Sequence, residues 1–140
     1  MAKLTLSNAG LIVTAGTAYD LSDHVESVTI EWKKDTPETT AMGSVSRNRT
    51  AGLYDWTITV NFQQDFVAGS VDAAIYAAFM ATTNPSITVK TTNAAASATT
   101  PWFTGTCIVP TYTPLSGKVG DVVSMSVQFQ GSGVLTRALS

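Results

Sequence analysis

Charged side chains are scarce in this 140-residue chain, at 13% of the total, about half the share of an average soluble domain. Eight Lys and Arg stand against ten Asp and Glu, and the net charge is −2. The longest basic run is the pair Lys33-Lys34. A nucleic-acid groove needs clustered cations against the phosphates, so this composition argues against one. Weak charge also means that copies of the chain repel one another little, and association is not resisted.

Residue types that build catalytic and metal sites are also few. His24 is the only histidine, which excludes a multi-histidine metal site, and we interpret it as a surface or strand-start residue. Cys107 is the only cysteine. It cannot form an intrachain disulfide, and its apolar neighbours favour a buried, unreactive thiol. Asp20, Asp23 and Glu26 could bind Ca²⁺, but they match no calcium loop of fixed spacing, so turn formation is the preferred interpretation.

Motifs for chemistry, export and membrane insertion are missing as well. The chain has no phosphate-binding Gly-rich loop, no Gly-x-Ser-x-Gly turn and no zinc-ligand spacing. No apolar run approaches the ~18 residues of a membrane span, and no secretion signal opens the sequence. We therefore expect a protein that is not an enzyme, binds no cofactor or metal, does not enter a membrane and is used without export.

Hydroxyl side chains take the place of the missing charges. The chain has 22 Thr and 13 Ser, and β-branched Thr suits a pleated, half-solvated surface. Three segments alternate with the period of two that is typical of strands with one buried face: residues 24–33, 53–63 and 122–130. Trp32 and Trp56 fall on the apolar side, which favours core anchors over a sugar-stacking platform.

The opposite positions of these strands are polar and, except for Glu31 and Asp55, uncharged; we name them the neutral polar face. Such a face meets water without gripping a ligand, although a plain solvent face in a low-charge protein is an equally good interpretation. Its members are Ser27, Thr29, Glu31, Asp55, Thr57, Thr59, Asn61, Ser124, Ser126 and Gln128.

The remaining elements complete a mainly β fold. An apolar stripe predicts a helix over 70–81, with Ser70 as its N-cap and Val71, Ala74, Ile75, Ala78 and Phe79 against the sheet. A polar stretch over 34–51 is far longer than a hairpin turn needs. We predict a single domain over 1–140, a β-sandwich or barrel of about seven to eight strands flanked by that helix. Residues 34–51 would form a long loop between two central strands, and 131–140 a C-terminal arm.

An ordered set of motifs carries a resemblance to a known family. The set includes Asp20-Leu21-Ser22-Asp23-His24, Gly52-Leu53-Tyr54-Asp55-Trp56, Phe62-Gln63-Gln64-Asp65-Phe66, Tyr112-Thr113-Pro114-Leu115-Ser116-Gly117 and Gly131-Ser132-Gly133-Val134-Leu135-Thr136-Arg137. Together these segments resemble the tail tube (major tail) proteins of siphophages over residues ~18 to 137. The resemblance implies a β-sandwich or barrel that forms stacked, hexameric rings, a conduit for DNA delivery into the host.

Roles for particular residues follow from that resemblance. The neutral polar face becomes the candidate lumen surface, which DNA passes without specific binding. The 34–51 loop becomes an inter-ring contact, and the candidate contacts between subunits or rings are Thr39, Met42, Arg47, Arg49, Leu135 and Arg137. Implied partners are further copies of the chain and other tail proteins (tape measure, tail terminator and baseplate). The implied location is the tail of a virion assembled in the host cytoplasm.

Two other classes of protein stay open from the sequence. One is an immunoglobulin-like or carbohydrate-binding module, which would expose aromatic side chains in one patch. The other is a different virion component, such as a head–tail connector or a capsid decoration protein, which ring stoichiometry would distinguish.

Overall fold

A computed structural model of the chain describes residues 10–43, 45–91, 95–97, 100–115 and 117–139. The described residues form eight strands, one α-helix and a short 3₁₀ turn, Ser22–His24. The elements are β1 Gly10–Thr14, β2 Ala18–Asp20, β3 Val25–Lys34, β4 Tyr54–Gln63, α1 Val71–Met80, β5 Ser86–Lys90, β6 Trp102–Ile108, β7 Ser124–Gly131 and β8 Thr136–Ala138. The predicted mainly β fold with one helix is confirmed.

All strand pairs are antiparallel, and the strands follow the order β2-β1-β5-β6-β7-β4-β3. Strand β6 joins the two halves of this sheet. It pairs with β5 along one edge, and along the other it pairs first with β8 and then, at Cys107 and Ile108, with the end of β7. The strands β7, β4 and β3 therefore form a three-stranded sheet that is joined to the other strands only through the short pairing of β7 with β6.

One hydrophobic core fills the space between the two halves and the helix. The alternation in β4 and β7 works as predicted, because every second residue from Trp56 to Phe62 and from Met125 to Phe129 is buried. Strands β1, β5 and β6 add Leu11, Ile87 and Cys107 from the other half. Burial of this apolar area is the main force that closes the sheet over itself.

Helix α1 covers the core with the predicted stripe except at one position. Val71, Ala74, Ile75 and Ala78 are buried, whereas Phe79 is 40% exposed. Ser70 holds the N-cap position, but its hydroxyl donates to Asp65 (Oγ to Oδ2, 3.0 Å) instead of capping the helix. The helix has ten residues, and no helix in the described ranges is long and apolar enough to cross a membrane.

The prediction that Trp32 anchors the core is wrong. Trp32 lies directly opposite Trp56 and on the same face of the sheet, but it is 42% exposed whereas Trp56 is buried. The reason is that β3 and β4 are ten residues long and run past the end of the core. At Trp32 no second layer remains to cover the apolar face.

Candidate assembly surface

The ten residues predicted to form a neutral polar face do lie together, on the solvent side of β3, β4 and β7. The strand registers place Thr29 beside Thr59 and Thr59 beside Gln128, and in the next row Ser27 beside Asn61 and Asn61 beside Ser126. Asn61 donates from Nδ2 to Ser27 Oγ at 2.8 Å. The side chains of this face are exposed or half-buried.

Charge on this face is confined to one end. Its charged members are Glu31 and Asp55, and with Lys33 beside them they lie where β3 ends and β4 begins. Lys33 Nζ is 2.8 Å from Glu31 Oε1, and this hydrogen bond raises the pKa of the lysine. The remaining rows are Ser, Thr, Asn and Gln, so the face offers hydrogen bonds to water but no array of cations for phosphate.

Both edges of the three-stranded sheet are open among the described residues. Strand β3 pairs only with β4, which leaves the outer backbone groups of a ten-residue strand unpaired. Strand β7 pairs with β4 along its length, but on its other side it meets β6 only at Gln130 and Gly131. Long, uncovered edges are templates for pairing with another chain.

The long loop between β3 and β4 is an extended hairpin arm, residues 35–53. Backbone hydrogen bonds continue the ladder of the two strands into the arm. Asp35 N donates to Leu53 O (2.9 Å) at its base, and Thr39 N donates to Asn48 O (2.7 Å) further out. The backbones of Glu38 and Arg49 form an isolated antiparallel β-bridge. The side chain of Glu38 faces a different arginine, since Arg47 Nε lies 4.0 Å from Glu38 Oε1.

At the tip of this arm, Met42 and Val45 are fully exposed. Thr39 and Arg49 help to shape the arm, whereas Met42 is free for a contact with another copy. Ser44 lies outside the described residues.

The two predicted contacts near the C-terminus differ in exposure, since Leu135 is buried and Arg137 is exposed. Leu135 is wrong as a contact between subunits, because it is buried in the core of its own chain, near Gly105. Its burial follows from β8, which folds back onto β6 with Thr136 opposite Thr104. Arg137 is exposed on β8 opposite Phe103 and stays available. Within the predicted C-terminal arm, Thr136–Ala138 thus belong to the sheet as β8, and Ser140 lies outside the described residues.

The groups considered for chemistry are engaged in structural roles. Burial raises the pKa of Cys107 to about 12, in line with an unreactive thiol. His24 lies in the 3₁₀ turn before β3, with Nε2 2.9 Å from Asp65 Oδ2. The pKa of Asp20 is lowered, mainly by the Ser22 hydroxyl. In the described part of the chain no three His, Cys, Asp or Glu side chains converge to hold a metal ion.

Asp65 is a residue whose role the sequence did not reveal. Its carboxylate accepts from Val67 N (3.0 Å), from Ser70 Oγ and from His24, and these partners lower its pKa, the Val67 amide most. It thereby ties the end of β4 to the start of α1 and to the turn before β3. An Asp five residues before a helix N-cap is the sequence signal that could have pointed to it.

A second feature missed by the sequence is an apolar groove at the base of the arm. Trp32, Leu53, Tyr54 and Val134 line it, and its volume is about 390 Å³. The Trp32 and Tyr54 rings lie 6.4 Å apart at an interplanar angle of 59°, so they do not form a flat platform for a sugar ring. The signal was present, since Trp32 and Tyr54 follow the apolar parity of strands too long for the core.

Neither protein-family models nor curated protein sequences match the chain. Solved structures do match, and they show that the chain has the fold of phage tail tube proteins. The tail tube of SPP1 matches with a TM-score of 0.76 and 12% identity, over 99% of this chain and 80% of that one. A protein chain in the virion of a native gene transfer agent particle matches with a TM-score of 0.71 and 13% identity, over 91% of this chain and 95% of that one. A chain in the tail of an empty gene transfer agent particle, determined with C6 symmetry, matches with a TM-score of 0.65 and 14% identity, over 91% of this chain and 95% of that one.

Proposed function

We propose that this protein is a structural subunit of a phage-type tail tube, in which stacked rings form a conduit for DNA. The observation that carries the proposal is the sheet β3-β4-β7. It combines an exposed neutral polar face with two open edges and a protruding hairpin arm. The shared fold with the SPP1 tail tube and with the C6-symmetric tail supports it.

Ring closure uses the two open edges. Strands β3 and β7 are both antiparallel to β4, so they run in the same direction. A rotation about the tube axis keeps strand direction, and β3 of one copy therefore pairs in parallel with β7 of the next. Six copies give a barrel of roughly 18 strands, whose backbone diameter is roughly 36 Å for strands about 4.8 Å apart and tilted by about 40°. Such a barrel leaves an open channel wide enough for a DNA duplex.

The polar face lines that channel. Its opposite side carries Trp56, Ile58 and the rest of the core, so this is the face that a closed barrel of these strands can present to the lumen. Side chains such as Thr59 and Gln128 hold water, and the absence of a cationic row lets the phosphates slide past. On this polar face, the carboxylates Glu31 and Asp55 outnumber the ammonium of Lys33. Each copy therefore presents a slightly negative charge to the lumen near the arm, and this charge repels DNA from the wall.

Stacking uses the hairpin arm. It projects from the end of β3 and β4, and its tip offers Met42 and Val45 with no cover from its own chain. Arg47 and Arg49, on the half of the arm that returns to β4, are the pairing partners for the next ring. Arg47 lies 4.0 Å from Glu38 of its own chain, whereas Arg49 pairs with Glu38 through the backbone and keeps its side chain exposed. The arm thus reaches the next ring, with Thr39 holding its shape and Arg137 on β8 as a further exposed contact.

The role is structural rather than enzymatic, and the protein belongs in the tail of a particle assembled in the host cytoplasm. Its partners are further copies of itself in rings and tubes, together with the tape measure, tail terminator and baseplate proteins at the tube's axis and ends. No cofactor or metal takes part.

Electron microscopy of the purified protein tests the proposal. Concentrated protein should form rings of about 60–100 Å and tubes with sixfold symmetry, the expected size for a wall of one domain around the barrel. Replacing both Met42 and Val45 by Asp should leave rings but remove tubes, and Ala51→Asp at the arm base is the matched control. Protein that remains monomeric at every concentration, alone and with a tail terminator, would contradict the proposal.

The lumen assignment has its own test. Thr59→Lys adds one cation per copy to the polar face, so tubes assembled with linear DNA should retain it inside, protected from nuclease at low salt. Thr106→Lys, in the exposed part of β6, is the control and should bind DNA only where nuclease reaches it. Nuclease-sensitive DNA on Thr59→Lys tubes would place the polar face elsewhere.

A further inference from the structure

Exposed apolar side chains gather at both ends of the β3-β4-β7 sheet. At the arm end they line the arm-base groove, formed by Trp32, Leu53, Tyr54 and Val134. Leu53 and Val134 are about four-fifths exposed. No residue of the described chain fills this groove, although it continues the apolar face of the core.

The other end of the sheet carries a second patch, which we name the loop patch: Leu115, Val119 and Val122. All three side chains are largely or fully exposed. They belong to the connection from β6 to β7, and Pro114 and Val123, which flank them, are both held by Gln64. Its Nε2 donates to Pro114 O (2.6 Å) and its backbone N to Val123 O (2.9 Å). Gln64 follows the last residue of β4, so the loop patch lies a full strand length from the arm-base groove.

One charge accompanies the apolar side chains at each patch. Lys34 lies opposite Tyr54 on the face of the groove, and its ammonium is 4.9 Å from the centre of the Tyr54 ring. Lys33 is on the polar face and is paired with Glu31, so it does not belong to the groove. At the loop end, Asp23, Glu26 and Asp121 outnumber Lys118. The two apolar patches therefore provide the match between the ends, and Lys34 is the cation that would meet the carboxylates beside the loop patch.

We propose that the arm-base groove binds the loop patch of a second copy in the next ring. The inference rests on the proposed tube, in which all copies point the same way along the axis, so the arm end of one ring meets the loop end of another. The contact is heterologous and repeats without closing, as a tube of any length requires. It places Trp32, Leu53 and Tyr54 against Val119 and Val122.

Two substitutions separate the halves of this contact. Leu53→Asp blocks the groove and leaves the loop patch intact, whereas Val119→Asp does the reverse. Both side chains are exposed, so we expect unchanged thermal unfolding and normal rings. Each variant alone should need an at least tenfold higher protein concentration to form tubes, because each loses one desolvated apolar contact per copy around the ring. Ala95→Asp, an exposed position far from both patches in the sequence, is the control for added charge.

Mixing the two variants is the decisive experiment. A Leu53→Asp ring still has a good loop patch and a Val119→Asp ring a good groove, so equal amounts should give pairs of rings that cannot extend. Sedimentation velocity and negative-stain images distinguish single rings, ring pairs and tubes. Wild-type protein that forms no rings or tubes would contradict the proposed function. Wild-type tubes together with variants that elongate normally, or a mixture that yields only single rings, would overturn the groove–loop contact alone.

Discussion

The packing of Trp56 between two glycines provides a prediction whose size can be worked out. The indole of Trp56 lies against Gly105 on β6 and Gly131 at the end of β7, and its Nε1 donates to Gly133 O at 3.1 Å. A Cβ at Gly105 would lie 2.5 Å from Cζ2 of the indole, about 0.9 Å closer than ordinary van der Waals contact begins. The ring has little room to move away, because a Cβ added at Gly131 would come equally close to the indole.

We expect Gly105→Ala to destabilise the fold by about 2 kcal/mol. Overpacking of a rigid core site costs about 3 kcal/mol at the upper end of its usual range. Removing a glycine from the unfolded chain returns about 0.7 kcal/mol, since the backbone at Gly105 is not in the left-handed region. For a domain of this size the net loss lowers the melting temperature by about 8 °C.

Thermal and denaturant unfolding, followed by circular dichroism, measures this loss at a concentration at which the chain does not assemble. Gly10→Ala is the matched control. Its Cβ would meet the Lys90 side chain, which can rotate away, so we expect a change within about 0.5 kcal/mol.

A double-mutant cycle identifies the cause of the loss. Trp56→Phe removes the outer ring atoms that the added methyl group of Gly105→Ala would strike. The two substitutions together should therefore destabilise by at least about 1 kcal/mol less than the sum of the single effects. An unchanged melting temperature for Gly105→Ala, or strict additivity with Trp56→Phe, would refute the argument that this contact limits the size of the side chain at this position.

Three further predictions concern titratable groups. The pKa of Asp65 is lowered chiefly by the Val67 amide, so its carboxylate stabilises the fold above the ordinary carboxyl pKa of 3.8, and this contribution is lost as pH falls through the lowered value. Asp65→Asn should therefore be less stable than wild type at pH 7 and lose most of that difference by pH 2, as urea unfolding at both pH values would reveal. Tyr112 donates to Asp72 (Oη to Oδ1, 2.5 Å), which raises the pKa of Tyr112 to about 12. Its stabilising effect is complete below pH 10 and is lost as pH rises through about 12, so Asp72→Asn should let one tyrosine ionise at lower pH in an ultraviolet titration. Cys107 should react with a thiol reagent only at the rate of unfolding, since burial raises its pKa to about 12, and prompt stoichiometric labelling of native protein would contradict its burial.

The strands with period-two alternation were predictable because a local pattern determines them. Burial of Ile58, Val60 and Phe62 and exposure of Thr57 and Thr59 follow from one rule applied along one strand. The helix followed equally from its own apolar stripe, within one residue at each end. The polar residues of the neutral polar face were likewise predictable, because each of the three strands shows them in its own alternation.

Positions that depend on the length of the core were not predictable in the same way. Trp32 has the parity of a core residue, yet its exposure is decided by where the second layer ends. Leu135 was predicted as a contact between subunits or rings, after the Gly-Ser-Gly segment 131–133. That segment instead bends the chain so that β8 pairs with β6 and Leu135 enters the core. Asp65 gains its importance from His24, which is distant in sequence.

The sequence by itself determined what this surface is made of: few charges, many hydroxyls and an arm too long for a turn. Alternation and composition are properties of neighbouring residues, so they can be read without a fold. Only the tertiary structure decided that the polar rows of β3, β4 and β7 join into one face with two open edges. It also decided that apolar patches lie at the two ends of that face. Strand order and the limits of the core arise from contacts between residues far apart in the chain, and no local pattern records them.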